Sequence, residues 1–291
     1  MRTKLIILTA ILGFCLSANA GTITKNYDLT FDGIEVTSNF EILLVKADDH
    51  SVTVEIDEEY APYLSVTTEA GILKVRFKKL PVKMHIGKER FSITIRTPMI
   101  NFIDLSGACR LTCNDEYSLG MNNFRATLSG ASAISRLKVN SVDGSFRLSG
   151  SSSMNLDGDF SDLEIKAEGS SEVNYKGDAS ELNADISASS KFNSTGDIER
   201  VDIEVKGASK VTFVGEGVAL NAAVSGASRL KAEEFPVKNA KINAKGASQV
   251  TLDASESLKA EVTGASSCKY RNRPDLRLNP VVSGGGKFQV L

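Results

Sequence analysis

Val201-Asp202-Ile203-Glu204-Val205-Lys206-Gly207-Ala208-Ser209-Lys210-Val211-Thr212-Phe213 reads as two short strands hinged on a small-residue corner. Val201, Ile203, Val205, Gly207, Ser209, Val211 and Phe213 share one parity, with Asp202, Glu204, Lys206 and Lys210 between them. Extended chains show this period of two because successive side chains point to opposite faces. The register returns as Leu220, Ala222, Val224, Gly226, Ser228 and Leu230, then from Ala240 to Leu252 and from Leu258 to Tyr270.

Corners of this kind fall at Gly107, Gly130, Gly150, Gly169, Ala188, Gly207, Gly226, Gly246, Gly264 and Gly284. A repeat of about 19 to 20 residues marks a solenoid, in which one coil cannot bury its apolar stripe and stacked coils share one interior. Stacking places Val205 between Ile186 and Val224, and Val211 between Phe192 and Leu230. Ser132, Ser152, Ser171, Ser190, Ser209, Ser228, Ser248 and Ser266 then form an inward column, which needs hydrogen-bond partners in neighbouring hydroxyls or in carbonyls of the bend. Cys109 takes that place in the first copy and Gly286 in the last, as terminal repeats are atypical.

Three segments follow. Residues 1–20, with Arg2 and Lys4, an apolar run from Leu5 to Leu16 and Ala18-Asn19-Ala20, read as a secretory signal peptide. Phe14 before Cys15 speaks against lipid attachment there. Residues 21–100 form an N-terminal β region without the Gly-Ala-Ser corner, either degenerate solenoid coils or a cap. Residues 101–291 are the repetitive part, and no apolar run after the signal reaches the ~20 residues of a membrane-spanning helix.

Composition narrows the function classes. The formal net charge is -2 and becomes -4 without Arg2 and Lys4, so nucleic acid is not an expected partner. Trp is absent and aromatic content is 7%, which weakens a sugar-stacking lectin. Cys109 and Cys113 sit ~13 Å apart along an extended strand and Cys268 lies many coils away, so three buried free thiols are expected.

The series Leu128-Ser-Gly-Ala-Ser132, Val205-Lys-Gly-Ala-Ser209, Val224-Ser-Gly-Ala-Ser228 and Val262-Thr-Gly-Ala-Ser266, preceded by the Ile34-to-Ile56 region, resembles the bacterial "putative auto-transporter adhesin, head GIN domain" family. The likeness covers nearly the whole mature chain and implies an exported, all-β, right-handed parallel β-helix with no defined ligand. No run of ~10-residue barrel strands follows the last corner, so self-translocation is not expected.

Three groups of residues are candidate sites. Asp159, Asp178, Asp197 and Glu216 each follow a glycine at intervals of 19. Stacked carboxylates could hold Ca²⁺ or could be ordinary Gly-Asp turn chemistry. Lys191, Lys210 and Arg229 lie three residues past successive corners, as a binding row for an acidic glycan or phosphate or as a solvated face. Lys78, Lys79, Lys83, Lys88 and Arg90 form an exposed basic loop. A Ser/His/Asp arrangement does not follow from Asp48-Asp49-His50-Ser51, because such a site is defined in space. The expected function is a non-enzymatic surface or envelope protein, an adhesin or binding scaffold located in the periplasm, on the outer membrane or outside the cell. No catalytic or cofactor-binding residue is assigned, the glycan or protein ligand is unidentified, and homo-oligomers through the solenoid ends are an expected mode of assembly. The alternatives are a polysaccharide lyase or hydrolase, which would need two convergent carboxylates, and a purely structural envelope protein.

Overall fold

The computed structural model describes residues 21–87 and 89–291; the signal-peptide segment lies outside them. Among these residues there are 24 strands and one 3-10 turn, Ala61–Tyr63. The chain is a β-solenoid of about ten turns.

One coil shows how the sequence makes the shape. Ala179–Ile186 leads into the corner Ser187-Ala188-Ser189-Ser190, Lys191–Thr195 leaves it, and Gly196-Asp197 turns the chain into the next strand, Ile198–Val205. That strand lies parallel on its predecessor with Ile186 opposite Val205, and Val224 follows in the next layer. On the second face Phe192, Val211 and Leu230 stack in the same way. The strands form two ladders, before and after the corner. Three long strands, Ala133–Leu148, Arg229–Ala244 and Gln249–Val262, run through the second bend on irregular register and join the ladders into one 24-stranded sheet.

The interior lies between the ladders and runs the length of the molecule. Val205, Val211 and Val224 are buried, and Phe192, Phe213 and Phe235 form an aromatic file with centroids 5.8 and 5.4 Å apart. Each such side chain contributes about 1.5 to 3 kcal/mol on burial.

The N-terminal region contributes a coil and a cap. Gly33–Ser38 and Phe40–Lys46 form the first coil, parallel to Phe102–Gly107 and Arg110–Ser118. Ser38 stands at its corner with φ +101°, the position Gly107 fills one layer on. Ile72–Phe77 and Phe91–Thr97 then lie parallel on the outer side of this coil, against the order of the chain. Antiparallel strands finish the end: Leu64–Glu69 beside Ile72–Phe77, Ser51–Asp57 beside Phe91–Thr97, and Thr22–Tyr27 outermost. Tyr60 covers the interior there, its ring 5.3 Å from that of Phe91.

At the opposite end no such cover is present among the described residues. Leu278 and Val282 continue the rows of Leu258 and Val262, yet are 41% and 46% exposed. Ser283 N–H donates back to Val262, so by alternation Pro280 occupies a position whose N–H would face the open edge. Proline there removes a donor that further strands would use.

Candidate functional site

Each coil has two bends, and each bend builds a column. At the first, Gly169 has φ +79°, and a Cβ on it would lie 2.5 Å from the Gly150 carbonyl oxygen. The serine two residues past the corner points inward. Ser152, Ser171, Ser209 and Ser266 hydroxyls donate to the carbonyls of Ser149, Glu168, Lys206 and Thr263, at 2.7 to 2.8 Å. For these four the partners are bend carbonyls; Ser248 donates instead to the Val224 carbonyl one layer away at 3.1 Å, and the buried hydroxyls of Ser132, Ser190 and Ser228 have no partner among the described residues. Cys109 repeats the pattern, with Sγ 3.4 Å from the Ser106 carbonyl.

At the second bend Gly158, Gly177, Gly196 and Gly215 have φ between +134° and +150°. A Cβ on Gly177 would overlap the Gly158 carbonyl oxygen and lie 2.7 Å from its carbon. The first three acids of the column have a definite task, and Glu216 enters it only through its backbone N–H. Asp159 Oδ1 accepts the Asp178 N–H at 2.9 Å, Asp178 Oδ1 that of Asp197 at 2.8 Å, and Asp197 Oδ1 that of Glu216 at 2.9 Å. Asn140 Oδ1 begins the column by accepting the Asp159 N–H. The carboxylates thus tie each turn to the next through a backbone donor that would otherwise face water. Among the described residues no group of three or more His, Cys, Asp or Glu is arranged to hold a metal ion.

The basic row lies on the outer face of the ladder after the corner. Glu172, Lys191, Lys210, Arg229 and Gln249 are consecutive register partners. Lys191 Nζ donates to Glu172 at 2.7 Å and Arg229 Nε to Gln249 at 3.1 Å. Lys210, between two cations, has no acceptor among the described residues. Two residues along the strand runs an amide ladder, in which Asn174 Nδ2 donates to Asn155 Oδ1 and Asn193 Nδ2 to Asn174 Oδ1. This ladder belongs to the same face; its spacing of 19 was the signal for it in the sequence.

Other chemistry-bearing groups serve the fold. Asp253, 4% exposed at its side chain, is held by Arg273 through Nε and Nη2 at 2.9 and 2.6 Å and by Arg271 Nε at 3.0 Å. This pair of arginines clasps the last coil to the one before it. Cys109, Cys113 and Cys268 are free and buried. Burial pushes the first two thiols up to about 11 and Cys268 to about 12, so they stay protonated and unreactive at neutral pH. His50 Nε2 lies 2.9 Å from the Phe31 carbonyl, with its ring edge-on to Phe31. On the outer face of the other ladder a shallow depression is lined by Arg125, Asp143, Ser145, Asp162 and Glu164, and Glu164 is engaged by Arg147.

Solved structures share this architecture. A crystal structure named "putative adhesin" from Parabacteroides merdae aligns with a TM-score of 0.57 at 17% identity, covering 96% of this chain and all of its own. A second "putative adhesin", from Parabacteroides distasonis, gives 0.51 at 17% identity over 93% of this chain and 97% of its own. A "putative lipid binding protein" from the same species gives 0.53 at 16% identity over 94% and 98%. At these identities the likeness is one of fold. No curated protein matches the chain in sequence. A family model matches residues 30–217 and again 164–274, so that the chain belongs to the family described as "putative auto-transporter adhesin, head GIN domain".

Proposed function

We propose that the protein is an exported, non-enzymatic binding scaffold of the cell surface or envelope, acting as an adhesin through the outer face that carries Lys191, Lys210 and Arg229. The observation that carries this reading is the row Ser153, Glu172, Lys191, Lys210, Arg229, Gln249, Ser267 and Lys287, one residue per layer in continuous register. Layers ~4.8 Å apart present these groups as a rigid array. Many weak contacts along such an array sum to useful avidity against a repetitive glycan or protein. The family description supports adhesion, and export rests on the N-terminal signal segment. Homo-oligomers would form through the uncovered C-terminal end, and light scattering at high concentration tests that.

The test is a glycan and matrix-protein array probed with residues 21–291. A ligand retained by the native protein and lost by Lys191→Glu/Lys210→Glu/Arg229→Glu supports the reading. Release of product from any arrayed polysaccharide would overturn it in favour of an enzyme. Ca²⁺ at Asp159, Asp178, Asp197 and Glu216 would use the carboxylate oxygens that the backbone ties leave over, and titration calorimetry with calcium tests this.

A further inference from the structure

We propose that the loop joining Ile72–Phe77 to Phe91–Thr97, at the capped end of the solenoid, docks on a membrane surface rich in anionic lipid headgroups. This goes beyond the ladder-face reading and uses different residues. Arg76, Lys78, Lys79, Lys83 and Arg90 concentrate positive charge on a chain whose mature net charge is negative, with Glu89 as the one acid of the segment. All five cations are exposed. Arg90 lies 3.5 Å from Glu41, whereas Arg76, Lys78, Lys79 and Lys83 have no ion pair among the described residues. Burial, together with the nearby Lys78 charge, holds the Lys25 ammonium below its usual range.

The tip favours lipid over a soluble polyanion. Val82, between Pro81 and Lys83, is 89% exposed. Behind it Leu80, Met84 and Ile86 pack on the core, and the His85 carbonyl accepts the Tyr60 hydroxyl at 3.1 Å. An anchored loop thus presents an apolar residue flanked by point charges, and a bilayer surface offers anionic headgroups with apolar material beneath. A polysaccharide would give Val82 nothing to meet.

The experiment measures partition of residues 21–291 into sedimented vesicles. The vesicles are either equal parts phosphatidylglycerol and phosphatidylcholine or phosphatidylcholine alone. Each cation at an anionic surface is worth roughly fivefold in partition. Binding is expected with the anionic vesicles only, reduced at high salt, and weakened about 100-fold by Lys78→Gln/Lys79→Gln/Lys83→Gln. Val82→Ser, which leaves the charge unchanged, should weaken vesicle binding while heparin binding is unchanged. Equal binding to neutral vesicles, no binding to either, or an equal loss in the charge-matched Lys191→Gln/Lys210→Gln/Arg229→Gln would overturn the proposal. Retention on heparin without vesicle binding would overturn it in favour of a soluble polyanion.

Discussion

The two bends of a coil both use glycine, but they leave different room for a Cβ. At the Gly-Ala-Ser corner the backbone is left-handed with φ near +75°, and the chain places an alanine, Ala188, there at φ +64°. At the Gly-Asp bend φ reaches +150° and the preceding layer's carbonyl occupies the space of a Cβ. Both bends crowd a Cβ against the preceding layer's carbonyl, but at the first the contact is 2.5 Å for Gly169 and Ala188 shows that the layer can give, whereas at the second the Cβ would overlap that oxygen. Where it occurs, from Gly158 to Gly215, the Gly-acid edge leaves no room for a Cβ and forms a rigid spine, whereas in other layers long strands cross the second bend without that glycine.

Substitution at the spine should have the largest effect. Gly177→Ala is expected to cost about 4 kcal/mol, lowering Tm by roughly 10 °C in a thermal melt, because backbone must move to admit the methyl group. Gly169→Ala should cost only about 1 to 2 kcal/mol, the usual penalty of a left-handed L-residue with some crowding. If the two variants melted together, the distinction between the bends would fail. The reverse change, Ala188→Gly, should stabilise by a few tenths to about 1 kcal/mol by the same reasoning, read in the same melt.

The smallest effects separate hydrogen bonding from charge along the spine. Asp178→Ala removes the acceptor for the Asp197 N–H and should cost about 1 kcal/mol. Asp178→Asn keeps the acceptor, as Asn140 does at the head of the column, and removes a like charge from between Asp159 and Asp197. It should therefore be neutral or stabilising by a few tenths of a kcal/mol at low salt, with the gain fading at high salt. A loss equal to that of Asp178→Ala would mean that the charge itself is needed.

Much of the coil was legible in the sequence. The period, the inward parity of Val205 and Ser209 and their stacking on neighbours are encoded locally and repeated, so each copy reinforces the others. The acids of the spine were legible as a column but not as ties, because the donor that Asp159 serves belongs to Asp178, one layer away. The cap was harder. Alternation marks Ile72–Phe77 and Phe91–Thr97 as strands, but nothing in it says that they lie outside a coil that precedes them in the chain. The Asp253 clasp occurs once and has no repeat to reveal it. Nothing in the alternation marks it: Asp253 falls on the outward parity between Leu252 and Ala254, yet all three are buried.

Between Gly150 and Gly226 the coils are equivalent layers in a fixed 19-residue register, as when Ile186, Val205 and Val224 stack. Deleting residues 188–206 removes one such layer and joins Ser187 to Gly207, restoring a corner. Far-ultraviolet circular dichroism with a thermal melt is the direct measurement. A β spectrum and a cooperative transition within a few degrees of the native one are expected, while deletion of residues 188–197, about half a layer, abolishes both. Loss of β structure in the full-layer deletion, or its retention in the half-layer deletion, would contradict the equivalence of the layers.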